Sequence, residues 1–407
     1  MEAVSKVDNI FSQYVQKQSV FKDKTVLTSN FIPEKIPHRS EEITQLSLAL
    51  APMLKGFHAS NVFVYGTCGT GKTICSRFVV NQLEEAAKDG QIKTIYINCK
   101  MKKVADTEYR LLAQLLKELG ECVPDTGLPT DVLYRRFFEN ADSKRQTLVL
   151  VLDEIDALFK KIGDEFLYNL TRINQELKQA KLNIVGITND LSFRDGLDMR
   201  VRSSLGEEEI LFRPYNALQL KHILEERAKT GFETGLDEAI LNKCAAIAAQ
   251  EHGDARRALD LLRVAGELAE RQGDAKITEA HIDMAEQKID LDRVIETIKS
   301  QPSQSQIVLH AIIKLAESRK KTTKWADARL LTGDVFATYE SVCKENGIKS
   351  LTQRRVSDLI AELDMLGIIT AKVISKGRYG RTKEISMAIS NSHLDRVKAF
   401  LAGRFSP

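Results

Sequence analysis

One octapeptide constrains this chain more than any other feature. Gly66-Thr67-Cys68-Gly69-Thr70-Gly71-Lys72-Thr73 fits the pattern G-x-x-x-x-G-K-[ST]. That pattern acts only with a strand before it and a helix after it. Asn61-Val62-Phe63-Val64-Tyr65 supplies the strand, and Ile74 to Glu85 reads as helical. The glycines let the backbone curl until its N–H groups point inward at phosphate oxygens, and the helix N-terminus adds its positive end. Gly66, Gly69, Thr70 and Gly71 are therefore candidates to cradle phosphate. Lys72 reaches toward the β- and γ-phosphates, and the Thr73 hydroxyl is a candidate Mg²⁺ ligand.

The sequence around this loop reads as an α/β core over about 15–212. Strand candidates Asn61–Tyr65, Lys93–Asn98, Thr147–Leu152 and Asn183–Thr188 alternate with stretches long enough for helical crossovers, the pattern of a parallel sheet. Strand Leu148-Val149-Leu150-Val151-Leu152 ends in Asp153-Glu154. Asp153 is a candidate to hold Mg²⁺, usually through water, and Glu154 to polarise an attacking water. Ile184-Val185-Gly186-Ile187-Thr188 ends in Asn189, at the edge of a parallel sheet that normally faces a ligand. Asn189 is thus placed to orient that water or touch the γ-phosphate. Arg200 and Arg202 are alternative candidates for a cation reaching a neighbouring subunit's nucleotide, Arg200 being the preferred one.

From about 213 to 298 the chain is Ala-rich and helical, with segments 217–229, 237–250, 255–271 and 278–290 and no strand signal. In Gly253-Asp254-Ala255-Arg256, Asp254 reads as an N-cap. A cation in the following first turn opposes the helix dipole, which is easier to explain if Arg256 faces a phosphate.

The last region, 299–407, changes character again. Helical stretches 305–318, 331–345 and 352–366 lead into period-two runs at Ile369/Ala371/Val373 and Ile385/Met387/Ile389. Thr352 is a plausible N-cap for the third helix, which gathers Val356, Leu359, Ile360, Leu363 and Leu366 on one face. Three helices and a hairpin make the winged form of helix-turn-helix. Charge points the same way. Residues 300–407 hold 18 Lys and Arg against 10 Asp and Glu, while 1–299 hold 41 against 46, so a basic quarter follows an acidic body. A polyanion is the expected partner of that quarter. Gln353, Arg354 and Arg355 begin the third helix, where base edges and phosphates lie closest. Arg378 and Arg381 in the hairpin suit a minor groove, Tyr379 a sugar, and Lys383 adds a further cation.

Other classes are excluded more simply. No apolar run approaches the ~18 residues a membrane span needs. The N-terminus has no apolar core of the signal-peptide kind. Six scattered cysteines with no C-x-x-C pair give neither a zinc site nor a disulfide framework, so a reducing cytoplasm is expected.

Loop, Asp-Glu box, strand-end Asn, Arg-containing turn and Gly-Asp-x-Arg, in that order, resemble the AAA+ ATPases. Ile32 to Arg39, Ser60 to Gly66, Ser203 to Ile210, Thr352 to Ile360 and the hairpin Gly377 to Lys383 are similar to segments of the archaeal ORC-type DNA replication proteins, from about Val20 to Ile389. The resemblance implies an α/β P-loop (AAA+) core with a parallel sheet, an all-α lid and a C-terminal winged-helix DNA-binding domain. It implies binding of ATP or ADP with Mg²⁺ and slow, regulatory hydrolysis. Tyr215 and Arg227 become nucleotide contacts, although Tyr215 alone reads as a core aromatic. The insertion between Asn98 and Thr147, including Asp106 to Arg110 and Pro124 to Thr130, becomes a DNA-touching element. The implied partners are double-stranded origin DNA, the replicative minichromosome-maintenance helicase and paralogous initiators, in a cytoplasmic, nucleoid-associated setting. Met199 stands where the family usually has proline, and Cys68 occupies a variable position of the loop. Two other classes compete. A winged-helix signalling P-loop ATPase acting on transcription would lack Gly-Asp-x-Arg, and a clamp-loader-like ATPase would lack the cationic hairpin.

Overall fold

The computed structural model describes residues 19–28, 31–88, 90–101, 105–124, 127–205, 207–320, 330–375, 381–389 and 391–405. The chain divides into two compact units, 1–285 and 286–407. The helix Glu279–Ser300 runs through the division without interruption.

The first unit is built on five parallel strands: β1 (Asn61–Tyr65), β2 (Ile92–Asn98), β3 (Thr147–Asp153), β4 (Lys181–Thr188) and β5 (Glu207–Leu211). Their order across the sheet is β2-β3-β4-β1-β5. Four lie within a residue or two of the stretches expected from sequence. The fifth, at the edge, carries Glu207-Glu208-Glu209 and so lacks an apolar run. Period-two alternation sends β3 side chains to opposite cores. Leu148, Leu150 and Leu152 pack with Phe63 of β1 and with Leu111, Leu115 and Phe137 from the helices Glu108–Glu118 and Thr130–Ala141. Val149 and Val151 pack on the other face with Val62 and Val64 of β1 and with Leu46 and Val79 from the helices Ser40–Leu50 and Lys72–Ala86. A sheet covered on both faces explains why β1 and β3 are buried throughout.

Register fixes what meets at the carboxyl edge. Tyr65 pairs with Thr188 and with Leu211, and Asp153 pairs with Asn98 and Ile187. The residues following β1 and β4 and the last residue of β3 therefore emerge side by side. The helices Ala217–Gly231, Glu238–Gln250 and Ala255–Gln272 follow the sheet. The first begins with a reciprocal capping box between Asn216 and Gln219, and the third ends at Gly273 in the left-handed region.

The second unit packs the helices Ser303–Lys320, Thr332–Glu345 and Gln353–Met365 against an antiparallel sheet of order β6-β8-β7: β6 (Leu330–Leu331), β7 (Ile369–Ser375) and β8 (Arg381–Met387). Its core includes Ile307, Val308, Tyr339, Val356, Leu359, Ile360, Leu363 and Ile385. The helix Asn391–Phe405 adds Leu394, Val397, Leu401 and Phe405. Leu366, expected on the buried face of the third helix, is exposed because the helix has already ended at Met365. Among the described residues no helix is long and apolar enough to cross a membrane.

Candidate functional site

Two glycines of the P-loop are hemmed in by residues of the following helical segment and its approach. Gly69 has φ +72°, and a Cβ built there would sit 1.7 Å from Asp254 Oδ1. Gly71 has φ +94° and a Cβ would lie 2.8 Å from Tyr215 Oη. Both positions need glycine for conformation and for room. The Asp254 carboxylate caps the helix Ala255–Gln272 by accepting from the N–H of Arg256 and Arg257, and Ala255 N donates to Gly69 O at 3.2 Å. The third lid helix is thereby seated on the loop.

Lys72 opens the helix Lys72–Ala86 and is 5% exposed. Its ammonium donates to Gly66 O and Thr67 O at 2.7 Å each and to Asn189 Oδ1 at 2.9 Å. Burial lowers its pKa to about 8. Thr73 Oγ1 donates to Asp153 Oδ2 at 2.9 Å, the same oxygen that accepts from Tyr96 Oη, while Asp153 Oδ1 accepts from Glu154 N at 3.0 Å. Burial, then the Asp153 bond, pushes the Tyr96 phenol up. Sequence alone does not single out Tyr96; its one signal is a place on a strand whose end faces the same edge. Glu154 has a left-handed backbone (φ +55°, ψ +47°), uncommon for a residue with a side chain. Its carboxylate pairs with the exposed Lys100 at 3.3 Å.

These groups border a cavity of about 830 Å³, within the usual size of ligand sites. Gly69, Thr70, Gly71, Lys72, Thr73, Asp153, Glu154, Asn189, Tyr215, Arg227 and Arg256 all line it. Apolar walls come from Val26, Phe31, Ile36, Ile74, Ile223 and Leu259. Gly66 lies behind the loop against Phe212 O. Arg256 Nη1 lies 3.8 Å from Cys68 Sγ. Arg227 donates to Val26 O at 3.3 Å and stacks 4.7 Å from the Phe31 ring centroid, and burial holds its pKa below the ordinary value. Burial raises the Tyr215 phenol to about 12.

The donor set fits a nucleotide and a hard cation. The Lys72 ammonium stands at the cavity with Gly69, Thr70 and Gly71, where the loop enters the N-terminus of the helix Lys72–Ala86. Thr73 and Asp153 offer adjacent oxygen ligands of the kind Mg²⁺ takes.

Arg200 is not among the cavity's lining residues. It projects into solvent, 78% exposed, and pairs with Asp198 at 3.1 Å; Arg202 pairs with Asp195 at 3.2 Å. In the second unit Gln353, Arg354 and Arg355 stand exposed in the first turn after Thr352, whose hydroxyl accepts from Arg355 N. Arg355 also lies 3.5 Å from Glu362 and 3.9 Å from Asp358, and Lys383 Nζ reaches Ser357 O at 3.2 Å. Arg378 and Tyr379 lie outside the described residues, as does the Arg381 side chain; Arg381 takes part in β8 through its backbone. In the insertion, Asp106 pairs with Lys161 at 2.9 Å and Arg110 at 3.4 Å, and Tyr109 Oη donates to Pro124 O.

Three family signatures match in chain order: "AAA domain" over 55–193, "Cdc6 AAA+ ATPase-type lid domain" over 221–287 and "CDC6, C terminal winged helix domain" over 296–397. The ORC1-type DNA replication protein of Thermococcus onnurineus is 50% identical over 391 residues, covering 94% of this chain and 92% of its own. The chain belongs to the ORC1-type DNA replication protein family. ORC1-type DNA replication protein 1 of Methanosarcina mazei is 47% identical over 394 residues, covering 96% and 93%. Among solved structures, Aeropyrum pernix ORC1 in complex with DNA superposes with a TM-score of 0.80 at 40% identity, covering 96% and 98% of the two chains. The first unit of this ORC1-type chain thus carries an AAA+ ATPase domain with its lid, and the second a winged helix. The signalling-ATPase and clamp-loader readings give way to this assignment.

Proposed function

We propose that this protein is a DNA replication initiator that binds origin DNA under the control of ATP bound at the P-loop cavity. The observation that carries the reading is the meeting of Lys72, Thr73, Asp153, Glu154 and Asn189 at one sheet edge, in a chain that also holds a winged helix. The domains fall at 15–212, 213–298 and 299–407.

The roles follow from chemistry. Loop amides from Gly69 to Thr73 and the Lys72 ammonium bind the β- and γ-phosphates, with Gly66 shaping the start of the loop. Tyr215, Arg227 and the apolar walls hold the base and ribose side. Thr73 and Asp153 hold Mg²⁺, which when bound neutralises charge on the phosphate oxygens. Glu154 accepts a hydrogen bond from the attacking water and draws its proton away; Asn189 orients that water. Arg256 meets the transferring phosphoryl charge, and Arg200 completes a neighbouring copy's site when copies assemble. Hydrolysis is slow and serves as a switch. Gln353, Arg354 and Arg355 contact the major groove, while Arg378, Tyr379, Arg381 and Lys383 contact backbone and minor groove. Recruitment of the minichromosome-maintenance helicase and contact with paralogous initiators follow at the origin.

A footprint on the host's genomic DNA with ATP and with ADP tests this. A few discrete repeated sites near one locus are expected. Uniform, salt-sensitive coating would point to a general loader, and no binding at ~100 mM salt would assign the winged helix to a protein partner.

A further inference from the structure

Arg39 is 4% exposed and is not among the residues that line the cavity, yet it touches two of them, Thr70 and Tyr215. Each nitrogen of its guanidinium engages a different part of the chain. Nε donates to Thr70 O in the P-loop at 3.0 Å, Nη2 to Arg213 O at 2.5 Å, and Nη1 to Glu42 Oε1 at 2.5 Å. The guanidinium carbon lies 5.2 Å from the Phe212 ring centroid and 4.0 Å from that of Tyr215. Tyr215 closes the circuit, because its hydroxyl leaves no room for a Cβ at Gly71.

One cation therefore ties the phosphate loop to residues 212–215, the short connection between β5 and the lid helix Ala217–Gly231. Both backbone ties go to carbonyl oxygens of residues far apart in sequence. Desolvating a guanidinium is costly, and an apolar side chain would fill the same space without that cost. An apolar side chain cannot hold two carbonyls at a set separation, which is what a planar fork of donors does.

We infer that Arg39 is a positioning residue that couples the state of the P-loop to the hinge between the α/β core and the lid. The inference rests on the proposed reading of the cavity as an ATP site. A shift of the Thr70 carbonyl as the loop grips phosphate is passed through Nε and Nη2 to the Arg213 carbonyl and to the Tyr215 ring. The lid then reports which nucleotide the loop holds.

Hydrogen exchange on the full chain, with and without saturating ATP and Mg²⁺, reads the P-loop and residues 212–220 separately. In the unmodified protein nucleotide slows exchange in both. In Arg39→Met, loop protection persists at saturation while hinge protection is lost. Affinity for a fluorescent ATP analogue falls about tenfold, the scale of one charge-assisted hydrogen bond. Arg39→Lys keeps the charge and loses the fork, and behaves as Arg39→Met does. Nucleotide-dependent hinge protection in Arg39→Met equal to that of the unmodified protein overturns the inference. Should Arg39→Met not fold, Glu42→Gln carries the test: it leaves Arg39 in place with one anchor removed, and weakened hinge protection supports the coupling while unchanged protection defeats it. No loop protection in the unmodified protein defeats the ATP reading itself, so the two failures are distinct.

Discussion

In the α/β unit Lys72 and Arg39 are sunk beneath the surface and donate to backbone carbonyls; in the winged helix Gln353, Arg354 and Arg355 stand in solvent on a single helical turn. Cationic side chains are being used in two different dielectric regimes. A buried cation with fixed partners interacts strongly over a short distance and feels little salt. An exposed one acts on a polyanion through screened attraction, gains by releasing counterions, and is weakened steeply by salt. One region is built to distinguish small changes in a single ligand, the other to sum many weak contacts along a duplex.

The largest expected effect lies on the buried side. Glu154→Gln keeps the shape of the site but removes the base, so steady-state ATP hydrolysis should fall by about 10²–10⁴ with nucleotide affinity nearly retained. Turnover close to that of the unmodified protein would mean that Glu154 is not the base. Next, Lys72→Ala should weaken nucleotide binding about a hundredfold, since it takes away a charged donor from a desolvated site. Titration at low and high salt should give nearly the same loss, and a loss that disappears at high salt would erase the contrast between the two regions.

On the exposed side the effects are smaller and carried by salt. Arg354→Ala should reduce DNA affinity several-fold and flatten the log K against log salt slope by about 0.9 per lost phosphate contact. Arg355→Ala should do less, because Asp358 and Glu362 already compete for its guanidinium. Equal losses for the two arginines would mean that DNA draws Arg355 away from those carboxylates.

The smallest effect concerns pH. His38 and His222 share a 2.8 Å contact between the segment before the Ser40–Leu50 helix and the first lid helix. Burial first, then His222 and Arg39, lowers the His38 pKa below 6.5. The unfolded chain therefore binds a proton more readily than the folded one, and stability rises with pH through that window. Its contribution is complete above about pH 6.5 and declines as pH falls below that value. Melting temperatures at pH 7.5 and 5.5 should converge slightly in His222→Gln, which removes one of the charges opposing that proton.

The sequence was most legible where function and local pattern coincide. The P-loop, Asp153-Glu154 and Asn189 each end or follow an apolar strand, and four strands were visible for the same reason. β5 was hidden because an edge strand with three glutamates has no apolar run to show. The helix Asn391–Phe405 has its signal in Leu394, Val397, Leu401 and Phe405, spaced three or four apart, and lies beyond the three helices and hairpin of the expected winged form. Arg39 could not be singled out at all: its carbonyl partners lie 31 and 174 residues away, and no local spacing encodes a contact of that length. Tyr96 presents the same difficulty, since its partner Asp153 is brought to it only by the pairing of β2 with β3.

The strand order carries a consequence for how the chain is made. β1, which delivers the phosphate loop, takes neither β2 nor β3 as a neighbour. It pairs Val62 with Val185 and with Glu208, so its partners are synthesised more than a hundred residues after it. At about 5–20 residues per second, β1 leaves the ribosome and waits several seconds or longer before either strand that pairs with it exists. During that interval the loop that follows β1 stands on a strand with both edges unpaired, which the nascent chain offers to whatever chaperone is near. Slowing translation between residues 65 and 185 should therefore lower the yield of folded protein more than the same pause placed after residue 212.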